Sequence, residues 1–62
     1  MVILTPGAVC YDDFIDEHYL LLELVQDKHG RPYWRMLALR EGETVVQLER
    51  MLVEDPDVRW LE

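Results

Sequence analysis

Two mostly apolar segments, residues 19–25 and 33–39, stand on either side of a short polar stretch and predict strands. Because successive side chains of a strand point to opposite faces, each segment would have apolar side chains on both faces. Between them, Asp27 and Gly30 occupy the first and fourth positions of a short polar stretch, which suits a type I turn. Pro32 cannot donate to a strand ladder, so it belongs at a strand start or an edge. The pattern therefore predicts a β-hairpin.

The expected faces of this hairpin follow from the alternation of successive side chains between the two faces of a strand. In the first strand, one face carries Leu20, Leu22 and Leu24, and the other carries Tyr19, Leu21, Glu23 and Val25. In the second, one face carries Trp34, Met36 and Ala38, and the other carries Tyr33, Leu37 and Leu39. Shorter apolar runs predict further strands at residues 2–4, 8–11 and 58–61.

Residues 44–54 carry a helical signal. Thr44 and Gln47 form a capping-box pattern. Helical spacing then groups four apolar side chains on one face, namely Val45, Leu48, Met51 and Leu52. Because the residue before a proline disfavours helical geometry, Pro56 ends this helix near Glu54. A competing strand interpretation pairs Val46, Leu48 and Leu52.

These elements predict one domain spanning residues 1–62 with an α+β fold. We expect a small antiparallel sheet of three to four strands with one helix packed on it, and an SH3-like β-barrel is the alternative. Half of the residues are apolar, which indicates a folded chain rather than a disordered one.

The net charge of −7 is unevenly distributed. Residues 1–27 hold six acids and no Lys or Arg, residues 28–40 hold four basic residues and no acid, and residues 41–62 hold seven acids and two arginines. Direct binding of nucleic acid requires the opposite sign, because Lys and Arg must neutralise phosphates. We therefore expect no direct nucleic-acid binding.

The compartment follows from two further features. The single Cys10 permits no intramolecular disulfide, which is typical of a reducing compartment. The N-terminal segment has no basic region, so we predict neither a signal peptide nor a membrane span, and we expect a cytoplasmic protein.

The sequence contains no strong candidate for a metal site or a catalytic site. Cys10, His18 and His29 lack the close ligand pairs that zinc sites use, and residues 12–18 lack the central glycine of a calcium loop. No nucleophile has an identifiable base. We therefore predict no metal, no cofactor and no enzymatic activity.

Two acidic clusters break local electrostatic rules. One holds four carboxylates with no basic neighbour in sequence, and the other lies at the predicted C-terminal end of the helix, where the macrodipole favours cations. We predict that both contact a partner, and their members are Asp12, Asp13, Asp16, Glu17, Glu54, Asp55 and Asp57. Glu41 and Glu43 precede the predicted helix, where the dipole accounts for them. The alternative is that all these acids only keep the protein soluble.

In its size, its single Cys10, its clusters DDFIDE and EDPD and its lack of a catalytic motif, the chain resembles small acidic inhibitors encoded by phages and mobile elements, especially anti-CRISPR proteins. The resemblance implies a DNA mimic, a monomer in the cytoplasm of a bacterial host. Its clustered acids would engage Lys and Arg residues that line a DNA- or RNA-binding channel, for example in a CRISPR effector. The basic residues Arg31, Arg35 and Arg40 would then face away or pair with the protein's own acids.

A structural or adaptor module is the second hypothesis. It would dock a protein partner through a sheet edge or through the region of Tyr33 and Trp34, and a second copy of the chain is one such partner. Mimicry predicts a continuous negative surface and salt-sensitive binding, whereas an adaptor predicts an exposed apolar patch and salt-tolerant binding.

Overall fold

Five strands form one antiparallel sheet in the computed structural model, which describes residues 4–61. In chain order the elements are β1 (Val9–Asp12), β2 (Glu17–Gln26), β3 (Pro32–Ala38), β4 (Thr44–Leu48), α1 (Glu49–Glu54) and β5 (Val58–Leu61). The strand order is β4-β3-β2-β1-β5. The first four strands are therefore a meander, and β5 returns after α1 to pair with β1.

The β2–β3 hairpin confirms the prediction made from residues 19–39. The Gly30 N–H donates to the Asp27 carbonyl oxygen at 3.0 Å, and Gly30 has a positive φ of 79°. Asp27 also accepts hydrogen bonds on its side chain from the His29 and Arg31 N–H groups. The hydrogen bond from the Arg31 N–H is the largest cause that lowers the pKa of Asp27 below its ordinary value, and the His29 N–H adds to it. Partial burial acts in the opposite direction and is outweighed.

An irregularity in β2 changes the predicted faces of this hairpin. The register shifts between Leu21 and Glu23, so that Leu21 lies opposite Met36 and Leu24 lies opposite Trp34. Leu24 therefore shares a face with Leu21, and the prediction that it lies on the other face is wrong. In β3, Trp34, Met36 and Ala38 are all buried, as a shared core face requires.

The core lies on one face of the sheet beneath α1. Leu21, Trp34, Met36 and Leu52 form its buried cluster, and Leu4, Ala8 and Trp60 are among the side chains packed against it. The indole Nε1–H of Trp34 donates to Glu49 Oε2 at 2.7 Å. This hydrogen bond satisfies the polar atom of the buried indole and ties the first turn of α1 to β3.

The predicted α+β fold class is wrong. The sheet has five strands rather than three to four, and the only helix among residues 4–61 has six residues, so the fold is dominated by its sheet. The alternative, an SH3-like barrel, also departs from what is observed: within the described part of the chain, β4 and β5 do not pair with each other to close the sheet.

The prediction of a helix over residues 44–54 is wrong in its first half. Residues 44–48 form β4, in which Val45 lies opposite Met36 and Gln47 lies opposite Trp34. Cross-strand pairing with β3 outweighs the capping-box pattern, and the helix begins without a side-chain cap. Its end at Glu54 agrees with the prediction.

The short flanking strands have mixed outcomes. The prediction for 58–61 is confirmed by β5, and that for 8–11 corresponds to β1, one residue later. Residues 2 and 3 lie outside the described residues, and Leu4 is not in a strand. No helix within residues 4–61 has the length and apolar character needed to cross a membrane.

Candidate functional site

The two acidic clusters meet at one end of the sheet. β1 pairs with β5, with Asp12 opposite Val58, and the Asp13 N–H donates to the Asp57 carbonyl oxygen at 2.9 Å. The turn that follows β1 and the turn that precedes β5 are therefore neighbours. Each contributes carboxylates that are distant in sequence, and we call this end of the sheet the acidic end.

The β3–β4 turn adds two more carboxylates to the acidic end. The Arg40 N–H donates to Glu17 Oε1 at 3.1 Å, which fixes this turn beside the start of β2. Glu41 and Glu43 lie in the same turn and are exposed. Their assignment to a helix dipole was wrong, because α1 begins at Glu49. Glu41 and Glu43 are thus members of the acidic end that sequence reasoning missed.

The acids of the acidic end are partly neutralised by arginines from distant segments. Arg40 Nη2 lies 2.6 Å from Asp16 Oδ2, and Arg59 Nη2 lies 3.0 Å from Asp13 Oδ2. The expectation that the first cluster has no local counter-charge is therefore wrong. Arg50 pairs with Glu54 at 3.2 Å. Nine carboxylates and three arginines make up the acidic end, so it remains negative; the carboxylates are Asp12, Asp13, Asp16, Glu17, Glu41, Glu43, Glu54, Asp55 and Asp57.

The other two arginines of the middle segment also have internal partners. Arg31 pairs with Asp27 at 2.9 Å, and Arg35 pairs with Glu23 at 3.3 Å. Of the two arrangements expected for Arg31, Arg35 and Arg40, the ion pairs therefore correspond to the second, in which these arginines bind the protein's own acids.

Asp16 has a specialised position in the β1–β2 turn. Its φ is 54°, in the left-handed region that Asp tolerates better than most residues. The Tyr11 hydroxyl donates to Asp16 Oδ1 at 2.7 Å. This hydrogen bond, followed by the one from Arg40, holds the pKa of Asp16 below its ordinary value. The turn is thus tied to both β1 and the β3–β4 turn.

Glu17 is the one predicted contact residue that is buried in the fold. It is 6% exposed, and its Oε1 accepts hydrogen bonds from the His18 and Arg40 N–H groups. Partial burial opposes ionisation, but the N–H donors of Arg40, His18 and Glu41 outweigh it, so the pKa of Glu17 lies below its ordinary value. Glu17 therefore holds the β3–β4 turn rather than presenting a charge to a partner.

Two apolar side chains protrude from the middle of the first acidic cluster. Phe14 is 83% exposed and Ile15 is 49% exposed at the tip of the β1–β2 turn. Asp12 Oδ1 accepts a hydrogen bond from the Phe14 N–H at 3.0 Å, which fixes the backbone there. We call Phe14 and Ile15 the apolar tip. Sequence reasoning missed it, although two apolar residues between four acids are a readable signal.

A pocket of about 210 Å³ opens beside the acidic end. Its lining includes the buried Cys10 and Met36, with Val45 from β4 and Asp55 from the turn after α1. Burial, with a smaller contribution from the charge of Asp12, raises the pKa of Cys10 to about 11. The thiol is thus protonated at neutral pH, which does not suit a nucleophile.

Other site chemistry is equally sparse within residues 4–61. No group of three or more His, Cys, Asp or Glu side chains is arranged to hold a metal ion there. Trp34 is 2% exposed, so the aromatic surface considered for an adaptor retains only Tyr33. Comparison of the chain with protein-family models, curated proteins and solved structures finds no match.

Proposed function

We propose that the protein is a non-enzymatic acidic binding protein that inhibits a nucleic-acid-handling partner by occupying its basic DNA- or RNA-binding surface. The observation that carries the proposal is the hydrogen bond between the Asp13 N–H and the Asp57 carbonyl oxygen, which joins two acidic segments into one surface. A negative surface of this kind is attracted to a positive one over long distances, which accelerates association. A CRISPR effector is one partner of this chemistry.

The apolar tip supports a binding role over solubilisation. Carboxylates alone keep a small protein soluble, but an exposed Phe14 works against solubility. Exposed aromatic residues at the centre of a charged surface are typical of contact sites, where they fill a partner's pocket and exclude water from the surrounding ion pairs. We therefore include Phe14 and Ile15 in the contact surface with the exposed acids. The protein acts as a monomer in the cytoplasm of a bacterial host, where Cys10 stays reduced.

The test is affinity capture from nuclease-treated bacterial lysate on the immobilised protein, eluted with a salt gradient. A matched pair of double variants distinguishes the effect of where the charge lies from the effect of the total net charge. Asp57→Asn with Glu41→Gln removes two charges from the acidic end, and Gln26→Lys with His29→Lys makes the same change in net charge at the opposite end. All four side chains are exposed.

Recovery of a nucleic-acid-binding protein that elutes at moderate salt supports the proposal if the first variant loses it and the second retains it. Equal recovery by both variants and the parent protein contradicts the proposal, because the position of the charge then has no effect on binding.

An adaptor function is the second candidate, and a row of apolar residues on the other face of the sheet favours it. In register across β5, β1, β2 and β3 lie Leu61, Val9, Leu20 and Leu37, on the face opposite to α1. Leu61 is 49% exposed. Binding through this row would tolerate high salt and would be abolished by Leu20→Lys, whereas binding through the acidic end would survive that change.

A further inference from the structure

The pocket beside the acidic end has an apolar interior formed by several elements. Its buried lining residues include Cys10 from β1, Met36 from β3 and Leu52 from α1. Val45 and Val58, both half-buried, contribute further apolar surface. The sheet and α1 thus leave an opening that their own side chains do not fill.

The size of this pocket suits a single side chain. Its volume of about 210 Å³ is below the roughly 300–1,000 Å³ typical of sites for small molecules and cofactors. An extended aliphatic side chain from another protein is a better match in volume than a nucleotide or a flavin.

Two carboxylates add charge to this apolar lining. Asp12 and Asp55 both line the pocket and are half-buried. Each uses Oδ1 to accept a backbone hydrogen bond, Asp12 from the Phe14 N–H and Asp55 from the Asp57 N–H. Unlike Asp13 and Asp16, neither forms an ion pair with any basic side chain among residues 4–61.

We propose that this pocket receives a lysine side chain of the basic partner, and the identity of that partner rests on the function proposed above. The alkyl stem of lysine packs against Val45 and Val58, and its ammonium group lies between Asp12 and Asp55. Lysine fits better than arginine because a compact ammonium with three donors can serve two separate carboxylates, whereas a guanidinium prefers one carboxylate in a planar fork.

The experiment is an NMR titration of the full chain with Nα-acetyl-lysine methylamide, observed at the methyl groups of Met36, Val45 and Val58. The norleucine derivative is the matched probe without charge, and the Nε-acetylated lysine derivative is the matched neutral polar probe. We expect saturable shifts with the lysine derivative only, and we expect these shifts to weaken as salt is added.

Two double variants complete the design. Asp12→Asn with Asp55→Asn keeps the side-chain oxygens that accept the Phe14 and Asp57 N–H groups, so it preserves both turns while removing the charges. We expect it to bind the lysine derivative roughly tenfold or more weakly. Gln26→Lys with His29→Lys makes the same change in net charge at the opposite end of the sheet, outside the pocket lining, and we expect its binding to stay close to that of the parent protein.

The proposal is overturned if the lysine derivative gives no saturable shift, if the norleucine derivative binds equally well, or if the Asp12/Asp55 variant binds like the parent. These outcomes are separate from failure of the proposed function. Partner capture that depends on Asp57 and Glu41 can persist when the pocket binds no lysine, and lysine can bind the pocket when no partner is captured.

Discussion

The N–H group of Asp13 donates a 2.9 Å hydrogen bond to the carbonyl oxygen of Asp57, and this contact lies where β1 meets β5. It joins the turn after β1 to the turn before β5, so the acidic end exists only in the folded chain. Arg59 reaches Asp13 across the same junction. The charge presented to a partner therefore depends on how far these arginines neutralise neighbouring acids.

Replacing Arg59 with glutamine should strengthen binding to a basic partner. Arg59→Gln releases Asp13 from its ion pair and makes the acidic end more negative. The effect on stability should be small, about 0–1 kcal/mol, because both side chains are largely exposed. Titration of the partner at several salt concentrations should show tighter binding and a steeper dependence on salt.

Arg31→Gln is the control for this prediction, because it removes an exposed arginine paired with Asp27 at the opposite end of the sheet. If both variants strengthen binding equally, only net charge matters, and the acidic end has no special role.

Replacing Phe14 with alanine should weaken binding without changing stability. Phe14 is 83% exposed, so its truncation removes little packing from the folded protein. As a central aromatic contact it should contribute about 2 kcal/mol or more to affinity, which is roughly a thirtyfold loss. Calorimetric titration measures the affinity, and thermal unfolding checks stability. Leu24→Ala, at an exposed apolar residue of β2, should leave affinity unchanged.

Leu52 should be a principal determinant of stability. It is the buried residue of α1, and Leu52→Ala should cost about 2–5 kcal/mol. A domain of this length has a total stability of roughly 3–9 kcal/mol, so the variant should lose a large fraction of its free energy of unfolding. Val53→Ala, on the exposed side of the same helix, should change stability by less than about 0.5 kcal/mol in urea denaturation. Equal losses in the two variants would mean that α1 does not pack as described.

Acid should destabilise the fold through Asp16, Glu17 and Asp27. The pKa of each lies below its ordinary value in the folded protein, so the unfolded chain binds more protons near pH 4. The stability they contribute is present above about pH 5 and is lost as the pH falls through their folded-state pKa values. Thermal unfolding between pH 7 and pH 2 measures this loss.

Glu17→Gln isolates one contributor to the acid dependence. The variant should be less stable than the parent at neutral pH, because the N–H groups of His18 and Arg40 lose a charged acceptor. The difference between the two proteins should shrink as the pH falls below 4.5, the ordinary pKa of a glutamate. A difference that stays constant across this range would show that the charge of Glu17 is not what stabilises the turn.

Local patterns were sufficient for the β2–β3 hairpin and for β5. The apolar runs of the strands and the Asp27–Gly30 turn are each defined by a few neighbouring residues, so the hairpin can be predicted from local sequence. The segment at 44–48 failed for the opposite reason. Its capping-box pattern is local, but the pairing of Val45 with Met36 depends on a partner strand that no local window contains. The bulge near Leu21 likewise depends on cross-strand register.

The same distinction between local and long-range information applies to the candidate site. The acidic residues could be chosen from sequence because their clustering is local. Which acids Arg40 and Arg59 pair with could not be predicted from the sequence, because each ion pair joins segments brought together only by the sheet. The burial of Glu17 was missed for the same reason, since the β3–β4 turn supplies its Arg40 donor.

Competition with nucleic acid is the first measurement to make, because the proposed inhibitor and the nucleic acid would occupy the same basic surface of the partner. The captured partner is purified with a labelled DNA or RNA ligand bound, and the protein is added in increasing amounts while release of the ligand is measured. We expect stoichiometric release by the parent protein, and much weaker release by the variant that carries Asp57→Asn and Glu41→Gln. A stable ternary complex, with the nucleic acid still bound at saturating protein, would contradict it.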